Sequence, residues 1–329
     1  MLKAGLLGLG TIGRTHKAAY EHIAQEHGPV KIEAYFDISK ELLVNTGDSR
    51  TYQDLDAFFT QEKGKLDYVD ICLPTFLHKE VAIKAMRAGF HVLCEKPMAL
   101  NSQEAQEMCD VAKETGKTLM IAQVMRFLKV YDTIWDIAAS KKLGKLRNIQ
   151  LMSYGSGLPN GEKNWFKNSK LSGGPILDVH IHDIDTILSL LGLPAFVTAY
   201  APSVAPGKCY ETFTSTLVYP DGVFVNVFCD WTIPKNKHFS GRNFRFNFEK
   251  GYALYMPFEG KALVTDENGE IIELGKRANG YVDEIVYFAN CVANHKSVCL
   301  CPPEESANSI RLIEAEIRSA DQQGEKVFL

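Results

Sequence analysis

Apolar residues in the first third of the chain follow two alternating spacings. Short, nearly continuous apolar runs, the mark of buried strands, fall at Lys3–Leu7, Val30–Asp37, Leu66–Leu73, His91–Cys94 and Thr118–Ala122. Segments with apolar residues three and four apart, the helical period, fall at Ile12–Ala24, His78–Ala88 and Ser102–Thr115, the last predicted to be capped by Ser102 and to stop at Gly116. Strand and helix in strict alternation predict a parallel sheet with crossover helices.

Beyond about residue 123 the pattern changes. A helical stretch at Val130–Ala139 ends near Gly144, and strand patterns then dominate: Ile149–Tyr154, Phe213–Tyr219, Val223–Trp231, Phe244–Phe248 and Ala253–Met256. Pro220-Asp221-Gly222 between two of them predicts a hairpin turn. Helices are predicted at Pro175–Leu191, Tyr281–Asn294 and Glu304–Gln322. The fold class is therefore α/β: a parallel-sheet domain over 1–123, then an α+β domain over 124–329 with a mostly antiparallel sheet, open on one face.

Composition narrows the function. At 329 residues, 46% hydrophobic, 23% charged and with net charge −4, the chain has no basic stripe, so nucleic acid and anionic membrane surfaces are not expected as partners. The N-terminal apolar stretch is short and broken by glycines, and no apolar run is long enough to span a bilayer; a cytoplasmic location is expected. The eight cysteines form no regular framework and are expected to be buried free thiols, Cys299 and Cys301 included.

The first strand leads into Gly8-Leu9-Gly10-Thr11-Ile12-Gly13, which opens the first predicted helix. In that context Gly8 permits the tight turn, Gly10 admits a pyrophosphate, and Gly13 lets helix and strand pack closely, with Thr11 and Ile12 at the helix N-terminus facing the phosphates. This is the Rossmann dinucleotide site. Asp37, at the end of the second strand, stands roughly 20 residues on, where an acid binds the adenine ribose hydroxyls; it favours NAD, with Ser39 and Lys40 leaving NADP open.

Glu95-Lys96-Pro97 follows the strand His91–Cys94 at the carboxyl edge of the sheet, the ligand-binding edge of such folds. A partly desolvated lysine there can take part in proton transfer near neutral pH, and Pro97 restricts its direction. With the glycine turn, Asp70-Ile71-Cys72-Leu73-Pro74-Thr75 with His78, and Gly89-Phe90-His91-Val92-Leu93-Cys94-Glu95-Lys96-Pro97, the chain resembles the Gfo/Idh/MocA family of glucose-fructose oxidoreductase and inositol dehydrogenase. The resemblance spans nearly the whole chain. It implies a catalytic Lys96 before a cis Pro97, with Glu95 beside the cofactor. It also implies Pro74, Thr75 and His78 along the cofactor, and Gln123 and Arg126 where its nicotinamide end meets the substrate.

The stretch from Gly173 to Asp185 carries the second half of the chemistry. Asp178 and His182 at i and i+4, and His182 and Asp185 at i and i+3, are expected on one face of the Pro175–Leu191 helix, with His180 pointing elsewhere. Oxidising an alcohol needs a base for the hydroxyl proton, and a carboxylate-held imidazole serves at neutral pH. His182 is the expected base, Asp178 orients it or the substrate, and Lys96 polarises the same oxygen. The family's aspartate, histidine and aspartate spacing is matched, whereas His180 stands where family members usually carry glycine. A metal site from His180, His182 and nearby acids is the alternative; helical geometry splits the two histidines and hydride transfer to NAD needs no metal, so none is expected. Trp165, in a loop with Asn164, Phe166, Asn168 and Lys170, suits a sugar-ring pocket or simple packing.

Together these residues predict an NAD(P)-dependent dehydrogenase of a CH–OH group in a sugar or cyclic polyol. Arg126, Trp165 and Asp185 join Lys96, Asp178 and His182 around the substrate, and a homodimer or homotetramer is implied. A redox-assisted glycosidase that uses NAD without net turnover, and a non-catalytic NAD-binding regulator, are the competing readings.

Overall fold

The computed structural model describes residues 1–329 apart from 45, 156–161, 203–209, 234–240, 257–260 and 274–278. Its elements begin with β1 (Leu2–Leu7), α1 (Thr11–Gln25), β2 (Val30–Phe36), β3 (Arg50–Tyr52), α2 (Leu55–Glu62) and β4 (Tyr68–Ile71). They continue with α3 (Thr75–Ala88), β5 (His91–Glu95), α4 (Ser102–Thr115) and β6 (Leu119–Ala122). The six strands form one parallel sheet in the order β3-β2-β1-β4-β5-β6. Every residue of the central strand β4, Asp70 included, and of the edge strand β6 is buried. The cap of α4 is Asn101, one residue before the expected Ser102: Asn101 holds the extended backbone of a cap and accepts the Glu104 N–H at 2.9 Å.

Next come α5 (Lys129–Ser140), β7 (Leu146–Tyr154), α6 (Ser169–Ser172), α7 (Gly174–Asp178) and α8 (Ile181–Leu191). Then follow β8 (Phe196–Tyr200), β9 (Thr212–Val218), β10 (Phe224–Asp230), β11 (Gly241–Phe248), β12 (Gly251–Met256), β13 (Lys261–Asp266) and β14 (Ile271–Glu273). The chain closes with α9 (Gly280–Ala293), α10 (Pro303–Asp321) and β15 (Val327–Phe328). A nine-stranded sheet runs β14-β13-β12-β11-β7-β10-β9-β8-β15, antiparallel except for the parallel pair β7 and β10 at its centre. Alternation along the strands sends Ile149, Leu151, Val225, Val227, Phe244 and Phe246 inward, and leaves Gln150, Met152, Thr214, Phe224 and Arg245 on the outward face. The Pro220-Asp221-Gly222 hairpin forms as expected, with Gly222 at φ +88°.

The predicted single helix at Pro175–Leu191 is two helices. The Val179 carbonyl, which would accept the Asp183 N–H in a continuous helix, instead accepts from the Arg242 guanidinium at 2.7 Å and the His182 N–H at 3.3 Å. Asp183 N–H turns to the His180 carbonyl at 2.9 Å, and α8 restarts from there.

Contacts divide the chain into two compact units, which differ from a single cut at 123/124. The first joins Met1–Phe127 to Gly161–Trp165 and Asn279–Ile310; the second holds Leu128–Asn160, Phe166–Ala278 and Arg311–Leu329. Thus α9 completes the first core, placing Ile285, Phe288, Ala289 and Val292 against Tyr20, Tyr68 and Met120. Of the described cysteines, Cys299 is exposed and the rest are buried free thiols; Cys209 lies outside the described residues.

The first core also holds a buried ionic group. His16 on α1 places Nδ1 2.8 Å from an Asp70 oxygen and Nε2 3.0 Å from a Glu95 oxygen, while Tyr20 donates to Asp70 at 3.0 Å. Burial alone would depress the basicity of His16, but the Asp70 carboxylate and the Cys72 sulfur raise it well above the ordinary histidine value. Burial opposes ionisation of Glu95 too, yet the His16 hydrogen bond and charge bring it below the usual carboxylate range. Glu284 on α9, with no such donor, is pushed well up by burial and stays a neutral acid.

The sign of the pH dependence follows. The His16 contribution is complete below its unfolded value of about 6.5 and fades as pH rises through its raised folded value. The Glu95 contribution is complete above its unfolded value of about 4.3 and fades as pH falls through its lowered folded value. His16→Ala orphans buried carboxylates, so urea titration at neutral pH should give a loss of about 3–5 kcal/mol. That loss should be fullest between about pH 4.3 and 6.5 and shrink on both sides, at more acidic pH as the carboxylates take protons and at higher pH as His16 loses its own; a loss independent of pH counts against an ionised pair.

Candidate functional site

The parallel strands of the first unit deliver the expected cofactor residues to one edge of the sheet. β1 leads to Gly8, β2 to Asp37, β4 to Pro74, β5 ends in Glu95 and leads to Lys96-Pro97, and β6 leads to Gln123. At the glycine turn, Gly8 has φ +95°, and a Cβ there would lie 2.6 Å from the Cys72 carbonyl oxygen. A Cβ on Gly13, inside α1, would lie 1.9 Å from the Gly8 carbonyl oxygen, so only glycine lets the helix start this close to β1. A Cβ on Gly10 would meet nothing within 4 Å, leaving open space in front of the α1 N-terminus where Thr11 and Ile12 begin the helix.

Asp37 braces the turn from the next strand. Its carboxylate accepts the Leu9 N–H at 2.7 Å and the Ser39 N–H at 2.8 Å, and the residue is 7% exposed. Each oxygen retains a lone pair for a ribose hydroxyl.

Across the edge, Thr75 starts α3 and is buried, as is His78, whose ring nitrogens lie 2.8 Å from the Pro97 carbonyl and 2.7 Å from the Leu73 carbonyl. Burial holds His78 below the ordinary histidine value. It therefore ties the α3 start to the Lys96-Pro97 turn, where the peptide bond is cis as the resemblance implied. Lys96 is half-buried, and its N–H donates to Glu95 at 3.0 Å; the other Glu95 oxygen meets His16.

Gln123 is 1% exposed, and neither amide atom has a hydrogen-bond partner among the described residues. A buried carboxamide left unpaired at a ligand-binding edge fits a group supplied from outside the chain. With the open space at Gly10 and the Asp37 carboxylate, the residues present fit a dinucleotide. Arg126 is 6% exposed and directs its guanidinium to the Leu300 carbonyl at 2.7 Å and to Glu305 at 2.5 Å, both in the first unit. Trp165 falls in a short helical turn, with its ring centroid 6.3 Å from that of Phe76 on α3. Asn164 has no described side chain, and Asn168 caps α6 through the Lys170 N–H.

In the second unit, Asp178 ends α7 and His182 lies in the first turn of α8; both are half-exposed, whereas Asp185 is fully buried. Because the helix breaks between them, Asp178 and His182 do not share the continuous face expected of them. His180 does point elsewhere, into a buried group with Asp183, Cys229 and Glu316. Among the described residues two sets of side chains, His16 with Asp70 and Cys72, and His180 with Asp183 and Cys229, bring metal-type donors together. Neither contains His182, and in the second set Asp183 is engaged by the Arg242 guanidinium at 2.9 Å. Sequence reasoning missed Arg242 and Glu316: each is far from Asp178 in the chain and sits in a pattern that reads as ordinary strand or helix.

A sheet of this order with a glycine turn and a lysine at its carboxyl edge defines a nicotinamide-dependent oxidoreductase. The comparisons agree: residues 2–123 match the oxidoreductase family with NAD-binding Rossmann fold, and residues 131–254 match the GFO/IDH/MocA C-terminal domain. The chain belongs to the Gfo/Idh/MocA oxidoreductase family. It is 26% identical to D-glucoside 3-dehydrogenase of Escherichia coli K12, over 97% of this chain and 95% of that one. It is 25% identical to D-xylose 1-dehydrogenase (NADP(+)) 2 of Haloferax volcanii, over 95% and 96% of the two chains. In fold it is similar to an Agrobacterium radiobacter oxidoreductase solved with NAD+, L-tartaric acid and magnesium, at TM-score 0.86 and 19% identity, over 99% and 98% of the chains.

The two glycines should separate under substitution. Helix propensity favours Ala over Gly by about 0.8–1.0 kcal/mol, so any loss in Gly13→Ala must come from overlap with Gly8. We expect Gly13→Ala to lose about 1–3 kcal/mol of stability. Gly10→Ala should melt like wild type and lose NAD affinity in calorimetric titration. Equal melting of both variants would remove the steric argument.

Proposed function

We propose that the chain oxidises, or in reverse forms, a CH–OH group of a sugar or cyclic polyol with NAD(P) as hydride acceptor or donor. The observation that carries this reading is the first unit's sheet edge, where the Gly10 opening, the unpaired Gln123 carboxamide and Lys96 lie at the ends of β1, β6 and β5. Relatives matched along almost their whole length are sugar dehydrogenases, which supports the substrate class. Asp37 favours NAD, because its carboxylate repels a 2′-phosphate.

When bound, the dinucleotide supplies the hydride acceptor. Gly8, Gly10, Thr11, Ile12 and Gly13 hold its pyrophosphate, Asp37 its ribose, and Pro74, Thr75, His78, Glu95 and Gln123 its nicotinamide half. His182 takes the hydroxyl proton, Asp178 orients that imidazole or the substrate, and the Lys96 ammonium steadies charge developing on the substrate oxygen. Trp165 offers an aromatic face to a sugar ring. Arg126, which also engages Glu305, and the buried Asp185 complete the set of residues assigned to the substrate.

We also read the chain as cytoplasmic and as a homodimer or homotetramer. No helix among the described residues is long and apolar enough to cross a membrane. The outward sheet face carries Met152 and Phe224, 38% and 39% exposed, which suits pairing with a second copy.

The test is a panel of aldoses, inositols and glycosides with NAD and NADP, followed by absorbance of reduced nicotinamide. Reduction with a free sugar or polyol is expected, and Lys96→Ala and His182→Ala should each lower kcat by about 10²–10⁴-fold with NAD binding retained. Aglycone release without net reduction would replace the dehydrogenase reading with the glycosidase one.

A further inference from the structure

The break between α7 and α8 is occupied by a residue with no part in the chemistry above. His180 is fully buried and stands two residues after Asp178 and two before His182. Its Nε2 lies 3.0 Å from a Glu316 oxygen on α10; its Nδ1 lies 3.4 Å from both an Asp183 oxygen on α8 and the Cys229 sulfur on β10. The Phe213 ring of β9 packs edge-on against it at 4.8 Å. Carboxylate oxygens only accept, and a neutral imidazole has one N–H, so only the imidazolium donates to both carboxylates; a neutral ring would meet Glu316 through Nε2 and take the Cys229 S–H on Nδ1. Burial works against that charge, but Glu316, with Cys229 and Asp183, raises the basicity of His180 well above the ordinary value.

Charge closes around this ring. Asp183 also accepts from Ser153 at 2.8 Å and Arg242 at 2.9 Å, and Glu316 accepts from Ser215 at 2.6 Å. Two cations, His180 and Arg242, thus balance two carboxylates, Asp183 and Glu316. A residue there only to fill space would be apolar, since an ion group of this kind is rarely the most stable filling. What it adds is direction. Residue 179 is held through its carbonyl by Arg242, residue 180 through its ring, and residue 183 through its carboxylate. Asp178 directly precedes the first of these fixed points and His182 lies between the last two, both partly exposed.

We propose that His180 is a positioning residue: its charged ring, locked between Glu316 and Asp183, fixes the backbone break that sets the directions of the Asp178 and His182 side chains. The assignment rests on the reading that these two residues act on the substrate.

The test compares wild type with His180→Gln, Glu316→Gln and the double variant as full-length protein. Thermal melting reports folding; NMR of ¹⁵N-labelled histidine, with His182 assigned through His182→Gln, reports ring titration. In each single variant the His182 titration midpoint should move while that of His78 stays. With the substrate found by the sugar panel, kcat should fall about 10–100-fold, as sub-ångström to ångström misplacement does, and KM for NAD should hold. The double variant restores charge balance and should recover part of the stability and of the His182 midpoint. Should His180→Gln fail to fold, Glu316→Gln and the double variant carry the comparison. An unmoved His182 midpoint and unchanged kcat in a folded single variant overturn the proposal, as does stoichiometric zinc held by His180, Asp183 and Cys229. If no sugar is oxidised but the His182 midpoint still moves, the positioning stands and the catalytic reading falls.

Discussion

The contact between Gly13 and the carbonyl of Gly8 sets the geometry of the first unit. A helix can begin within touching distance of the strand before it only if the residue at the contact has no side chain, and a Cβ on Gly13 would fall 1.9 Å from that carbonyl oxygen. Because α1 starts there, its free N–H groups are presented at the carboxyl end of β1, between the ends of β2 and β4. Asp37 then fixes the turn by accepting the Leu9 N–H, so the residue proposed to hold the ribose also braces the glycine turn. On that proposal, shape and selectivity are coupled through one carboxylate.

A second principle recurs within each unit. Behind Lys96, His16 bridges Asp70 and Glu95, and Glu95 holds the Lys96 N–H. Beside His182, His180 bridges Glu316 and Asp183. In both cases a buried, positively charged imidazole joins elements distant in sequence to the residues proposed to handle protons. Apolar packing holds strands and helices together without prescribing a torsion angle, whereas two hydrogen bonds on opposite sides of one ring do. Such groups are costly to bury, and most of the other buried side chains are apolar.

The parts legible in the sequence were those encoded locally. The glycine turn, the strand into Glu95-Lys96-Pro97, the stop of α4 at Gly116 and the Pro220-Asp221-Gly222 hairpin each depend on residues within a few positions of one another. The parts that were not legible depend on distant partners. Helical periodicity continues through Val179 and His180, yet Arg242, some sixty residues away in the chain, takes the Val179 carbonyl and breaks the helix. Arg126 reads as a cation at a ligand edge, but Glu305 and the Leu300 carbonyl engage it. Short elements such as β3 and α2 carry too few residues for a period, and Asn101 and Ser102 are equally good caps on paper. The assignment of α9 to the first core has no local signal at all, because its apolar stripe fits either sheet.

That assignment bears on how the chain is made. The face of α1 that carries Tyr20, and the Tyr68 side of the parallel sheet, are covered by Ile285, Phe288 and Ala289 of α9. Roughly 150 residues separate Phe127 from Asn279, about ten to thirty seconds of translation at ordinary rates. Throughout that interval the nucleotide-binding half leaves the ribosome with an apolar flank uncovered and with His16, Asp70 and Glu95 still reachable by water. That flank is closed only once α9 (Gly280–Ala293) has been made.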